Sequence, residues 1–121
     1  EFIHNGKTAA MIACSLALGG LIGGADEAQL ATLRRLGRAV GLAFQVIDDV
    51  LDTTATSAAL GKTAGKDATA QKATMVRVLG LDGARARAAE LTAAALAELS
   101  KLPGDTAFLR ALVESLLHRG N

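Results

Sequence analysis

The sequence GLAFQVIDDVLD, residues 41–52, combines polar and apolar side chains in a pattern that predicts a helix. At about 100° per residue, its strongly polar side chains fall within an arc of about 100° on one face. They form the acidic stripe: Gln45, Asp48, Asp49 and Asp52. A surface helix ordinarily carries an apolar stripe on a polar background. The reverse arrangement predicts a helix buried on most sides, with its acidic stripe facing a cavity.

The carboxylates of this stripe need a compensating charge. No lysine or arginine lies between Arg38 and Leu60. Carboxylates crowded into about one helical turn repel one another, and partial burial raises the cost. A hard divalent cation is the natural partner, because Mg²⁺ prefers carboxylate oxygens and shares its shell with water and substrate phosphates. Asp48, Asp49 and Asp52 are therefore predicted to face magnesium; a solvated acidic helix end is the alternative.

Lysines at two places in the chain suggest an anionic substrate. Lys62, Lys66 and Lys72 follow the acidic helix, and Lys7-Thr8 opens the first helix. Lysines beside a magnesium–carboxylate cluster would attract a polyanion, most simply a diphosphate. A lysine and a hydroxyl near a helix start can hold a phosphate. The alternative is that these lysines are solvated surface residues.

The rest of the chain predicts an all-α fold of about five to six helices in a larger bundle. The first predicted helix covers 3–22 and is ended by Gly23-Gly24, and the second extends from an Asp26 cap to about Thr56. A loop over 57–67, a helix over about 68–79 and a break at Gly80–Gly83 follow. The last two predicted helices are one that ends before Pro103 and one that is capped by Asp105. The expected apolar face of the last helix comprises Phe108, Leu109, Leu112, Val113 and Leu116.

Composition narrows the class of protein. The chain has 121 residues, 50% of them apolar, a length and composition that suit one helical domain. Its net charge of +1 argues against nucleic-acid binding, which requires a basic surface. Cys14 is the single cysteine; it predicts a reduced, cytoplasmic setting and a buried thiol. Residues 8–25 lack charge. A membrane span is one interpretation of them, but their four glycines favour a buried helix.

The order of motifs resembles the trans-type polyprenyl (isoprenyl) diphosphate synthases, which include farnesyl and geranylgeranyl diphosphate synthases. The resemblance extends over residues 1–121. The matching segments are IHNGKT at 3–8, FQVIDDVLD at 44–52, LGKTAGKD at 60–67, QKAT at 71–74 and LGLDGARARA at 79–88. The resemblance implies a single partial domain, the C-terminal portion of a larger helical bundle that assembles as a homodimer when complete.

The resemblance also implies roles for individual residues. Asp48, Asp49 and Asp52 look like the second aspartate-rich motif, which holds Mg²⁺, and Gln45 looks like the glutamine of the same cavity. The implied diphosphate-binding lysines are Lys7, Lys62, Lys66 and Lys72, with Thr8 beside Lys7 and Asp67 beside Lys66. Lys7, Thr8, Gln45 and Lys62 are the implied catalytic residues. The implied reaction is Mg²⁺-dependent transfer of an allylic diphosphate's prenyl group to isopentenyl diphosphate.

The chain also departs from the family pattern. The first aspartate-rich motif and the arginines for isopentenyl diphosphate are absent from the sequence, and Ala9 replaces a glycine that often follows Lys-Thr. We therefore expect the 121-residue chain to be inactive alone and to associate with other chains. Two alternatives remain: a non-catalytic or regulatory partner of a complete synthase, and an unrelated helical metal protein.

Overall fold

The structure is a computed structural model that describes residues 2–59 and 75–118. Within these ranges the regular secondary structure is all helical, and short turns join the helices. The four helices are α1 (Phe2–Ile22), α2 (Glu27–Ala59), α3 (Met75–Leu99) and α4 (Ala107–Leu117). The all-α class is confirmed, although the described part of the chain holds four helices rather than five to six. The predicted helix over 68–79 is described only from residue 75. Its residues 75–79 join residues 81–99 across a kink at Gly80, so the two stretches form one element, α3.

The connection between α1 and α2 is determined by local signals. Gly24 has a φ of 89°, a left-handed conformation that glycine adopts without a steric penalty. The N–H of Ala25 donates to the carbonyl of Gly20 at 2.8 Å, and that of Gly24 donates to Leu21 at 3.1 Å. This is the bonding pattern of a Schellman motif, so the glycine pair ends α1 as predicted.

A capping box begins α2. The backbone N–H of Gln29 donates to Asp26 Oδ1 at 2.8 Å, and the backbone N–H of Asp26 donates to Gln29 Oε1 at 2.9 Å. The two bonds satisfy N–H groups that have no partner within the helix. Because the link between the helices is short, α1 turns back and packs antiparallel to α2.

Small residues bring α1 and α2 into close contact. Gly37 lies against Ala13 of α1, and Gly41 lies against Ala9. A Cβ placed on Gly41 would lie 2.5 Å from the Cα of Ala9, closer than real side chains approach. Both alanines are buried. The alanine- and glycine-rich composition therefore serves backbone-to-backbone packing.

The core lies mainly between α2 and α3, and α4 adds Val113 and Leu117 to it. Leu36, Ala43, Ala84, Ala95 and Leu99 are fully buried. Arg35 of α2 also reaches Glu98 of α3, with 3.0 Å between Nε and Oε1. Central α2 thus contacts each of the other three described helices.

The predicted break after residue 79 is a kink within α3. Gly80 has a φ of 80° and a ψ of 168°, outside helical geometry, while the helix resumes beyond it. At α4 the N-cap residue is Thr106 rather than the predicted Asp105. Asp105 still serves the helix start, because its Oδ1 accepts the N–H of Ala107 at 2.9 Å.

Several predictions of burial were wrong. Phe108 is 81% exposed and Leu112 44% exposed, because α4 is rotated so that Val113 and Leu117 point into the core. Cys14 is exposed rather than buried. The outer face of α1 is also exposed in the described structure. Its large apolar side chains are Met11, Leu18, Leu21 and Ile22.

The described helices were also compared with the requirements for crossing a bilayer. None of them is both long enough and apolar enough to span a membrane.

Candidate active site

The acidic stripe lies on an unbroken part of α2, as the sequence pattern predicts. Gln45, Asp48 and Asp49 are half-buried, and Asp52 is exposed. Residues on the opposite side, including Ile47, are buried against the rest of the bundle. The stripe is therefore a partly shielded polar strip on an otherwise apolar helix.

The register of α1 and α2 brings two predicted groups to the same end of the bundle. Gly37 faces Ala13 and Gly41 faces Ala9, so the sequence numbers of facing residues sum to 50. Continuing this antiparallel register places Lys7 and Thr8 beside the stretch of α2 just after Gly41. Asp48 lies two helical turns beyond Gly41 on the same face, about 10 Å along the axis.

Lys7 and Thr8 sit differently in this arrangement. The Lys7 side chain is exposed, whereas Thr8 is half-buried. An exposed ammonium on a flexible stem can move toward an anion bound between the start of α1 and the stripe. Since Lys7 precedes buried Ala9 by less than one turn, the packing of α1 on α2 positions it.

The donor set of the stripe fits one kind of metal site and not another. Within residues 2–59 and 75–118, no three His, Cys, Asp or Glu side chains converge closely enough to hold a metal ion. Neighbouring aspartates on one helix point outward in diverging directions. The set therefore suits a magnesium ion that takes a few carboxylate oxygens and completes its shell with water or phosphate. The side chains of the described residues do not form an all-protein metal cage.

Some predicted site residues lie outside the described residues. These are Lys62, Lys66, Asp67 and Lys72. Their proximity to the acidic stripe remains a prediction.

A cavity that sequence reasoning missed lies between α2, α3 and α4. Its volume is about 690 Å³, and α2 contributes Ile47, Val50, Leu51 and Thr54 to its wall. These side chains lie on the side of α2 away from the acidic stripe, so this cavity is not the candidate active site. The alanine spacing of α3 was its only sequence signal, and that pattern fits ordinary helix packing equally well.

Comparison with known proteins identifies similar sequences over the whole chain. A family profile described as "Polyprenyl synthetase" matches residues 1–111. Geranylgeranyl pyrophosphate synthase, chloroplastic, of Catharanthus roseus is 45% identical over 122 residues, 100% of this chain and 34% of the relative. The protein of the same name from Capsicum annuum is 44% identical, over 100% of this chain and 33% of the relative.

A third relative is named as a subunit of a heteromeric enzyme. The Heterodimeric geranylgeranyl pyrophosphate synthase large subunit 1, chloroplastic, of Arabidopsis thaliana is 43% identical, over 100% of this chain and 33% of the relative. The chain thus spans about a third of the length of the curated relatives it matches.

The predicted cytoplasmic location was wrong. All three of these relatives are named chloroplastic proteins. The prediction rested on the single cysteine, Cys14. A lone cysteine excludes only an intrachain disulfide, and that is compatible with any reducing compartment.

Proposed function

This chain belongs to the polyprenyl synthetase family, and from that premise we propose that it forms part of a prenyltransferase. The proposed substrates are isopentenyl diphosphate and an allylic diphosphate. The observation that carries this proposal is the α1–α2 register, which brings Lys7 and the acidic stripe to one end of the bundle. A carboxylate strip beside a lysine is what a magnesium diphosphate requires.

Each group has a proposed role in the reaction. Asp48, Asp49 and Asp52 would hold Mg²⁺ directly or through its bound water, and the ion would supply positive charge to the departing diphosphate. Lys7 binds oxygens of the same diphosphate, and Thr8 donates a hydrogen bond beside it. Gln45 lines the polar edge of the pocket.

The apolar surroundings of the stripe have a chemical purpose in this proposal. Loss of the diphosphate leaves an allylic cation, which the double bond of isopentenyl diphosphate attacks before a proton is lost. Water would capture the cation and end the reaction. Phe44 and Leu42, both half-buried near the stripe, help to exclude it.

The remaining lysines complete the proposed site. Lys62, Lys66 and Lys72 would grip the diphosphate from the segment that follows α2. We also propose that the complete protein is a homodimer that acts in plastids, where the named relatives are located. A non-catalytic partner subunit is less well supported, because such a subunit would not need to keep the stripe and Lys7.

A chimera tests this function in a complete protein. Residues 1–121 replace the matching 122-residue segment of the Catharanthus roseus relative, and Mg²⁺-dependent prenyl transfer is measured. We expect the chimera to be active and Asp48→Ala to lower kcat/KM by about 10²-fold or more, because charge stabilisation of the leaving group is lost.

The matched control is Glu27→Ala, which removes an exposed carboxylate from the first turn of the same helix. It should retain nearly full activity. A folded chimera without activity, or one whose activity survives Asp48→Ala, would contradict the proposal.

A further inference from the structure

The cavity between α2, α3 and α4 has the dimensions of a ligand site. Its volume of about 690 Å³ lies within the range of about 300–1,000 Å³ typical of small-molecule pockets. It is separated from the acidic stripe by the thickness of α2. The proposed prenyl-transfer reaction makes no use of it.

The cavity has an apolar floor and an open rim. Ile47, Ala88 and Leu117 line it and are each 8% exposed or less, so they form the floor. Ala89 and Ala93 line it from the exposed side of α3. Because α3 places alanines where larger side chains would fill the space, the groove stays open beside α4.

The polar groups that line this cavity differ in whether they can donate a hydrogen bond to a ligand. The Thr54 hydroxyl donates to the carbonyl of Val50 at 3.0 Å, and the Thr92 hydroxyl donates to Ala88 at 2.8 Å. Their hydrogens are therefore used within their own helices. The donors left for a ligand are the side chains of Arg85 and His118, both exposed at the rim.

Arg85 is the stronger of these two donors. Among the described residues it has no ion-pair or hydrogen-bond partner, whereas nearby Arg87 lies 3.0 Å from Glu90. In the part of the chain that the structure describes, no aspartate or glutamate lines the cavity. A guanidinium with five N–H donors over an apolar groove is complementary to an anionic head on a hydrocarbon tail.

We propose that this cavity binds a single-chain amphipathic anion, a carboxylate or phosphate joined to a flexible hydrocarbon. The head lies at Arg85 beside His118, and the tail lies along the floor formed by Ile47, Ala88 and Leu117. The proposed ligand is a free molecule in solution. This site is independent of the proposed prenyl-transfer site.

The first test is calorimetric titration of the chain with octyl, decyl and dodecyl phosphate, each below its micelle concentration. We expect saturable binding of one molecule per chain. Each added CH₂ should tighten binding about two- to fourfold, because the tail leaves water for an apolar wall. Absence of binding by dodecyl phosphate at millimolar concentration would overturn the proposal.

Variants locate the binding. Arg85→Gln should weaken the binding of decyl phosphate about tenfold or more, because a charge-assisted hydrogen bond is lost. The affinity for decanol, which carries no charge, should not change. Ala93→Leu should weaken both ligands by filling the groove. Arg87→Gln is the matched control on the same helix and should change neither, since Arg87 does not line the cavity.

The exposed apolar side chains of α1 offer an alternative binding surface for the alkyl chain of the ligand. Binding that is unaffected by Arg85→Gln and Ala93→Leu but lost in Leu18→Gln would place the ligand there and overturn the proposal. Leu18 is 53% exposed, so its substitution leaves the core intact. Circular dichroism of each variant confirms that the helices remain.

Discussion

Two single residues, Gly37 and Gly41, determine how closely α1 approaches α2. Each faces the backbone of a buried alanine across the interface, Ala13 and Ala9 respectively. A side chain at either position would have to push one helix away from the other. Since Lys7 lies just before Ala9, the same two glycines also determine how near the proposed diphosphate lysine lies to the acidic stripe.

Gly41→Val tests this packing at the residue scale. We expect the free energy of unfolding to fall by about 1–3 kcal/mol, because the new side chain overlaps Ala9 and cannot be accommodated without moving α1. Thermal and urea unfolding measure the change. Gly19→Ala is the control: nothing lies within 4 Å of its Cβ, and helix propensity should raise stability by about 0.5–1 kcal/mol. Equal changes in the free energy of unfolding for Gly41→Val and Gly19→Ala would contradict close packing of α1 against Gly41.

At the scale of elements, α2 performs two tasks on different faces. One face carries the acidic stripe, and the other packs on α3 and α4. An ion pair fastens α2 to α3 near the end remote from the stripe: Glu98 accepts from Arg35 at 3.0 Å and from Lys101 at 3.2 Å. The Glu98 side chain is 17% exposed, while both partners are about half exposed.

The charge state of Glu98 follows from two opposed effects. Burial acts to raise the pKa of its carboxyl, but the hydrogen bonds and the positive charges of Arg35 and Lys101 together outweigh burial and lower the pKa below its usual value. A carboxyl whose pKa is lower in the folded than in the unfolded state stabilises the fold at neutral pH. That stabilisation is lost as pH falls from about 4.3, the ordinary value for glutamate, through the folded pKa.

Glu98→Gln should therefore destabilise the chain by about 0.5–1 kcal/mol at pH 7 and by much less at pH 3. Urea unfolding at the two pH values measures the difference. Glu90→Gln is the matched control, because Glu90 pairs with Arg87 within α3 and both side chains are largely exposed. A pH-independent loss in Glu98→Gln would show that the side chain acts through packing rather than charge.

At the scale of the whole molecule, the outer face of α1 has no cover among the described residues. Leu18 is 53% exposed, Leu21 59% and Ile22 87%. With Met11 they follow one side of the helix at helical spacing. Contiguous exposed apolar surface of this kind is typical of sites where another protein surface packs. We therefore predict that the association expected from the sequence involves this face of α1.

We expect the 121-residue chain to self-associate as its concentration rises, and the double substitution Leu18→Gln, Ile22→Gln to shift it toward monomer. Sedimentation velocity gives the distribution of species. Val78→Gln is the control, because Val78 is 71% exposed but lies on α3 away from this face. If the α1 double variant and Val78→Gln both associated to the same extent as the unchanged chain, the exposed face of α1 would not be the contact surface.

The features that depend on neighbouring residues could be predicted from the order of amino acids. The glycine pair that ends α1, the capping box of Asp26 and Gln29, and the helical face of Asp48 are all set within a few positions of the chain. Helix periodicity and capping are local, so the order of residues is sufficient to predict them. The motifs that indicated the family are local as well, and the family profile confirms that interpretation.

The tertiary structure alone decided which side of each helix is covered. It exposed Cys14 and Phe108, turned Leu117 inward and joined Arg35 to Glu98, which is 63 positions away. It also opened the cavity beside Arg85. Periodicity shows that a helix has an apolar face but not what that face meets. The partner comes from distant parts of the chain, whose arrangement depends on the packing of whole helices.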